Sequence, residues 1–298
     1  MARSFSTPEE ALGAYESWLK RQPLSANTRR TYRVRVSQYC DYLSARPPKY
    51  GDPLGDPHAR DYAVRDYKTH LKRKRRARPT TVNLALAAID HFYRFLGLGD
   101  ADVRREELPQ QAPRGLEPEE QVAFLRAAER CPSTRDRAIA TLLFYTGLRL
   151  GECAGLDVND VRISARKGVI TVRSGKGDTY REVPLNAQAR AALDAWLAER
   201  GDRYPATDEP ALFVNRWGRR LSARSISTVI RKLGQEAGLT LSPHVLRHTC
   251  FTNLVRKGHD LVLVAEIAGH KRLETTRRYS LPSEADRAAA MEDIQVEY

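Results

Sequence analysis

Ser242-Pro-His-Val-Leu-Arg-His-Thr249 opens like a helix start, with serine at the N-cap and proline at the first helical position. The helix it predicts runs over Ser242–Lys257, with His244 in the first turn and Arg247 three residues on, sharing a face. A helix N-terminus presents unpaired N–H groups and the positive end of a dipole, which suits an anion. The partner stretch is Thr146-Gly-Leu-Arg-Leu-Gly-Glu152, a hundred residues upstream. There Gly147 breaks a helix over Ser133–Tyr145, Arg149 opens the next, and Glu152 follows one turn later to orient it.

Working outward, helices are predicted over Asp260–Ala268, Leu273–Tyr279 and Ser283–Ile294, with His270 just past Gly269 and Tyr279 behind Arg277 and Arg278. Upstream, Val158–Ile163, Gly168–Arg173 and Thr179–Leu185 are short and β-rich, and read as an antiparallel meander. Lys176 sits at the tip of its glycine-flanked second turn, and Lys167 occupies the first. Helices over Glu117–Arg130, Asn186–Glu199 and Ser222–Ala237 complete this half. Before it, 98–115 is rich in Gly, Pro and polar residues and reads as a linker. The first 97 residues carry four amphipathic helices, over Pro8–Lys20, from Ser25-Ala-Asn27, over Pro57–Arg75, and from Thr80 or Thr81 to Gly97. The expected fold is therefore mainly α with a small antiparallel β-sheet, in two domains (1–97 and 116–298).

The 298 residues carry 50 Lys+Arg against 37 Asp+Glu, a net charge of +13, which favours a polyanionic partner. About eight of those excess charges fall in residues 1–112. They concentrate on Arg29, Arg30 and Arg33 along one helix and on Lys72, Arg73, Lys74, Arg75 and Arg76 at the end of another. Both clusters are candidate phosphate contacts. Charge-free runs such as Ala138–Leu148 reach 11 residues, short of the ~20 that span a bilayer. The N-terminus lacks an apolar signal core, so a cytoplasmic, nucleoid-associated protein is expected. Cys40, Cys131, Cys153 and Cys250 form no CxxC pair and read as buried small hydrophobes.

Nucleotide and metal motifs are missing. Lys176 lacks the glycine and the Ser/Thr of a phosphate-binding loop, since Ile170 and Gly177 stand there. His244 and His248 are four apart on a helix, but Val-Leu-Arg between them lacks the glutamate of a zinc hydrolase. Neither a cofactor nor a metal is called for.

With Ala268-Gly-His270 and Thr275-Thr-Arg-Arg-Tyr279, the two opening stretches make four blocks whose order and spacing resemble the tyrosine recombinase (phage integrase) family, Xer-type enzymes in particular. The resemblance implies a helical core-binding domain in 1–97 and a catalytic domain in 116–298, ending in a helix exchanged between protomers. By motif position it implies Arg149, Lys176, His244, Arg247 and His270 as catalytic groups, Glu152 as support and Tyr279 as nucleophile. Lys167 is the competitor for the lysine position. It further implies double-stranded DNA with inverted half-sites as substrate, bound by a homotetramer on two sites or a heterotetramer with a paralogous recombinase. With about seven residues before the first helix, no additional arm-binding domain is expected.

Residue chemistry agrees with that role. Two guanidiniums suit the non-bridging oxygens of a phosphodiester. A phenol attacking phosphorus would give a 3′-phosphotyrosyl ester that retains the bond energy, so no ATP is required. Type IB topoisomerases share this chemistry, a silent DNA-binding protein could share the fold, and a metal-dependent nuclease would share the substrate.

Overall fold

The computed structural model describes residues 4–45, 49, 51–108, 114–173, 180–204, 209–270, 272–277, 279–280 and 291. The chain forms two compact units, Met1–Pro109 and Gln110–Tyr298. No described helix is long and apolar enough to cross a membrane.

The first unit is a bundle of α1 (Pro8–Leu19), α2 (Ala26–Ser44), α3 (Pro57–Arg73) and α4 (Pro79–Leu96). Its core is aromatic: Tyr15, Tyr39, Phe92 and Tyr93 are fully buried. The hydroxyls of Tyr39 and Tyr93 meet at 2.8 Å, so neither buried phenol is left unsatisfied. Ser25 caps α2 by accepting from the Thr28 N–H, and Gly97 ends α4 at φ +86°. The start of α4 differs from expectation. Pro79 takes the first helical position and Arg78 the cap, because proline is already set at the helical φ and has no N–H to satisfy.

Helix α3 stops two residues earlier than expected. Its last residue is Arg73, and Lys74 is the C-cap, its N–H donating to the His70 carbonyl at 2.9 Å. The Arg75 N–H reaches back to the same carbonyl at 3.2 Å, and Arg76 then turns to φ +47°. The basic run therefore straddles the helix end, where positive charge faces the negative pole of the dipole.

Residues 98–108 lie along this unit. Asn83 donates to the Glu106 carbonyl and accepts from the Glu106 N–H, both at 2.8 Å, while Lys68 donates to the Arg104 carbonyl.

The second unit is built around α6 (Thr134–Thr146), which is buried continuously from Ala138 to Phe144 and again at Thr146. That burial accounts for the charge-free run beginning at Ala138. Packed around it are α5 (Pro118–Arg130), α7 (Leu150–Gly155), α8 (Ala187–Arg203), α9 (Ala223–Glu236) and α10 (Pro243–Arg256). Beyond α10 come α11 (Leu261–Ala268) and α12 (Leu273–Arg277). A three-stranded antiparallel sheet of β1 (Val161–Ile163), β2 (Gly168–Arg173) and β3 (Tyr180–Pro184) has the order β1-β2-β3.

The first strand is shorter than expected, because Val158–Asp160 forms a 3₁₀ turn. The Asp160 carboxylate accepts the Asp157 N–H at 2.9 Å, and Val158 N–H goes to the Pro210 carbonyl, which takes the backbone out of the ladder. Helix α8 runs four residues beyond its expected end, anchored by Arg200, which donates to the carbonyls of Ala211 and Glu209. The short helix before Tyr279 is described over Leu273–Arg277, with Tyr279 itself in a turn, and the helix expected over Ser283–Ile294 lies, Met291 apart, outside the described residues. All four cysteines are buried thiols.

Candidate active site

Helix α6 ends at Gly147 in the left-handed region, φ +59°, which turns the chain sharply toward α7. Arg149 is the N-cap residue of α7, and Glu152 folds back over it. The Glu152 carboxylate accepts from the Arg149 N–H and from its Nη1, each at 2.8 Å. The other arm of Arg149, Nη2, donates to the Gly269 carbonyl at 3.0 Å.

That carbonyl is one of three in a row. Helix α11 ends at Ala268, where the last carbonyls of a helix lack intrahelical partners and carry the negative end of its dipole. Arg181 Nε donates to Ile267 O at 2.9 Å, Arg247 Nη2 to Ala268 O at 2.9 Å and Arg149 Nη2 to Gly269 O at 3.0 Å. One helix end thus gathers three guanidiniums from β3, α10 and the cap of α7.

Two features make this tolerable. Glu152 is shared, since Arg181 adds bonds of 3.0 Å and 2.7 Å to its two oxygens. Burial works to raise the Glu152 pKa, but the hydrogen bonds from Arg181 and Arg149 win and hold it down to about 2. Arg247 is 3% exposed and also donates to the Gly147 carbonyl, while its guanidinium lies 4.7 Å over the Phe251 ring. Burial and then the nearby Arg149 charge lower its pKa to about 10, leaving it charged at neutral pH.

His270 follows Gly269 and meets the same cluster. Its Nε2 lies 3.0 Å from Arg247 Nη2 and its Nδ1 2.8 Å from Thr276 Oγ1. A guanidinium only donates, so Nε2 accepts and the ring proton sits on Nδ1. The Tyr279 ring stacks on His270 at 6.0 Å and 5°, and it is 7% exposed. Its hydroxyl lies 3.3 Å from His248 Nδ1.

The paired residues of the Ser242–Thr249 stretch differ in burial. Arg247 is buried, whereas His244, one turn earlier on the same face, is exposed in the first turn of α10. His244 packs edge-on against His248 at 4.5 Å, and the His248 ring lies 5.6 Å from that of Tyr279. Ser242 holds the N-cap position without a side-chain capping bond, with Pro243 opening the helix. Lys176 lies outside the described residues, between β2 and β3. Lys167 is exposed in the turn between β1 and β2, its carbonyl accepting from Ser164 N–H at 2.7 Å.

In the first unit, Arg30, Arg33, Lys72, Arg73, Lys74, Arg75 and Arg76 are exposed and Arg29 is partly buried. Arg33 pairs with Glu16 at 2.9 Å, Lys72 with Glu106 at 2.8 Å, and Arg29 donates to the Gln22 carbonyl at 3.2 Å. The two clusters thus differ from a uniform basic face: Arg29, Arg33 and Lys72 are engaged within the unit, because each has an acceptor within reach on its own or a neighbouring element.

Against known families, the second unit matches the Phage integrase family over residues 114–285, and the first matches the phage integrase N-terminal SAM-like domain over residues 13–98. The chain belongs to the phage integrase family, the tyrosine recombinases. Tyrosine recombinase XerD of Mycobacterium leprae is 34% identical over 87% of each chain. Tyrosine recombinase XerA of Pyrococcus furiosus is 27% identical over 96% of each. A crystal structure of XerA recombinase shares 30% identity and a TM-score of 0.55 over 97% of this chain and 100% of that one. A XerH recombinase bound to its difH substrate has the same fold, with a TM-score of 0.70 at 24% identity, over 89% of this chain and 78% of that one.

This tyrosine recombinase is a site-specific DNA strand-cleaving and rejoining enzyme. Two of its site residues escaped the sequence reading. His248 was weighed only as half of a zinc pair, though its place one turn after His244 was a usable signal. Arg181 gave none, because its partners Glu152 and Ile267 lie 29 and 86 residues away.

Proposed function

We propose that Tyr279 is the nucleophile of a metal-free, ATP-free strand exchange, and that Arg149 and Arg247 hold the scissile phosphate. The observation that carries this reading is the gathering of guanidiniums at the end of α11 beside the rings of His270 and Tyr279. Fixed donors in that arrangement suit the charge of a pentacoordinate phosphorane and need no reorganisation as it forms. The Tyr279 oxygen bonds to phosphorus while the bond to the 5′-oxygen breaks. The phenolic proton passes to the His244–His248 pair, with His244 as general base, and Lys176 protonates the leaving 5′-oxygen. Attack by another strand's 5′-hydroxyl reverses the step. His270, beside Arg247, adds a further donor to a non-bridging oxygen when its ring carries both protons.

The substrate is double-stranded DNA with inverted half-sites, gripped by the exposed basic residues of the first unit, Arg73, Lys74, Arg75 and Arg76 among them. It is processed by a tetramer on two sites, with copies of itself or with a paralogue, on the nucleoid. Phosphate contacts of this kind supply affinity, while base contacts choose the sequence.

The test is covalent trapping. A nicked duplex, built on a site selected from genomic fragments, should give a denaturant-resistant adduct with the wild type. The adduct should vanish in Tyr279→Phe and persist in EDTA. A wild type that binds this duplex but forms no adduct would be a silent binder, and the proposal would fall. Strand cleavage that leaves no adduct and is abolished by EDTA would point to a metal nuclease.

A further inference from the structure

We propose that Arg181 is a positioning residue for strand cleavage, holding Glu152 and the end of α11 so that Arg149 keeps both its aim and its charge for the scissile phosphate. The inference rests on the reading of Arg149 and Tyr279 given above, and it gives Arg181 a role through Glu152 and α11 alone.

The geometry is specific to a guanidinium. Arg181 uses Nη1 and Nη2 on the two Glu152 oxygens and its remaining Nε on the Ile267 carbonyl. No ammonium can span these three acceptors with a planar fork. The side chain is 14% exposed and Glu152 13%, so the pair is little screened by water. Gly269 makes room for it: a Cβ there would lie 2.8 Å from Arg181 Nη1, and the residue sits at φ +63°. The glycine therefore allows the arginine and the helix end to close together.

Charge explains the need. With Arg149 as its only partner, Glu152 would cancel the cation that the phosphate requires. A second guanidinium on the same carboxylate lets Glu152 orient Arg149 while leaving the cluster cationic. The bond to Ile267 O also steadies the next two carbonyls, which anchor Arg247 and Arg149. Arg181 stands on β3, directly after the segment carrying Lys176, so this one side chain also ties that strand to the arginine cluster.

Single-turnover cleavage at saturating DNA separates positioning from folding. Two substrates are used: the nicked duplex above, and the same duplex with a neutral methylphosphonate at the scissile position. Arg181→Met should retain DNA affinity within about threefold and lose about 10²-fold in cleavage rate on the phosphate, as for loss of a preorganised donor. On the methylphosphonate its deficit should shrink below about tenfold, because less charge has to be met. Arg181→Lys should recover part of the rate. Should Arg181→Met fail to fold, Gly269→Ala, which displaces the guanidinium without deleting it, should show the same substrate dependence. Equal deficits on both substrates, a defect confined to affinity, or a wild-type rate would each overturn the inference. If the wild type forms no adduct on either duplex, the nucleophile reading fails instead.

Discussion

The Nδ1 nitrogen of His248 lies 3.3 Å from the Tyr279 hydroxyl, and the His244 ring packs edge-on against His248 with centroids 4.5 Å apart. A buried phenol needs a partner, and this histidine supplies one. His248→Phe should lower stability by about 1 kcal/mol, the usual worth of such a bond. It should also slow adduct formation by about tenfold, because Tyr279 loses its anchor. Thermal melts and trapping rates check both, and an unchanged rate would leave the contact structural.

Glu152 should make the second unit acid-sensitive. Its folded pKa of about 2 lies below its ordinary 4.5, so the charged form is favoured by folding. The stability it contributes is complete above pH 4.5 and is lost as the pH falls toward 2, on the order of 2 kcal/mol after solvent screening. Denaturant titrations should find Glu152→Gln less stable than wild type at pH 6, with the gap closing near pH 2. A gap that stays constant would show that the carboxylate charge is not what matters.

Lys176 and Lys167 compete for the role of general acid. Replacing the scissile 5′-oxygen with sulfur gives a leaving group that departs without a proton. Lys176→Ala should lose about 10²–10⁴-fold on the ordinary ester and regain most of it on the sulfur substrate. Lys167→Ala should change neither rate by more than about threefold. The reverse pattern would transfer the role to Lys167.

Gly147 should not tolerate a side chain. It sits at φ +59°, and a Cβ would lie 2.7 Å from Phe251 Cζ, in a ring fully buried beneath Arg247. Gly147→Ala should cost about 1–3 kcal/mol, or roughly 3–8 °C in Tm, with adduct formation falling as Arg149 moves off its anchor. Calorimetry alongside trapping would detect both, and a neutral Tm would mean that Phe251 can yield.

Local chemistry was legible wherever it acts within a few residues. Ser133, Asn186, Ser222 and Asp260 cap their helices from the side chain, and Gly97, Gly147 and Gly269 end theirs in the left-handed region. The 3₁₀ turn at Val158–Asp160 is invisible to β-propensity, because the Asp157–Asp160 bond that competes with the strand is a side-chain contact. The end of α3 was misplaced for a similar reason: Lys74 and Arg75 are good helix formers, and the turn at Arg76 that stops them has no glycine to announce it.

The amino-acid order alone determined where most of the described helices lie to within a few residues, the basic excess of the N-terminal part and the residue types of the site, since these follow from hydrophobic period, capping and charge. Which acceptor each cation meets was decided only by the tertiary fold. Arg247 finds Gly147 O a hundred residues away, Arg149 finds Gly269 O across 120, and His248 meets Tyr279 across 31. Charged groups pair with whatever the packed chain brings within reach, and at those separations no local pattern records the choice.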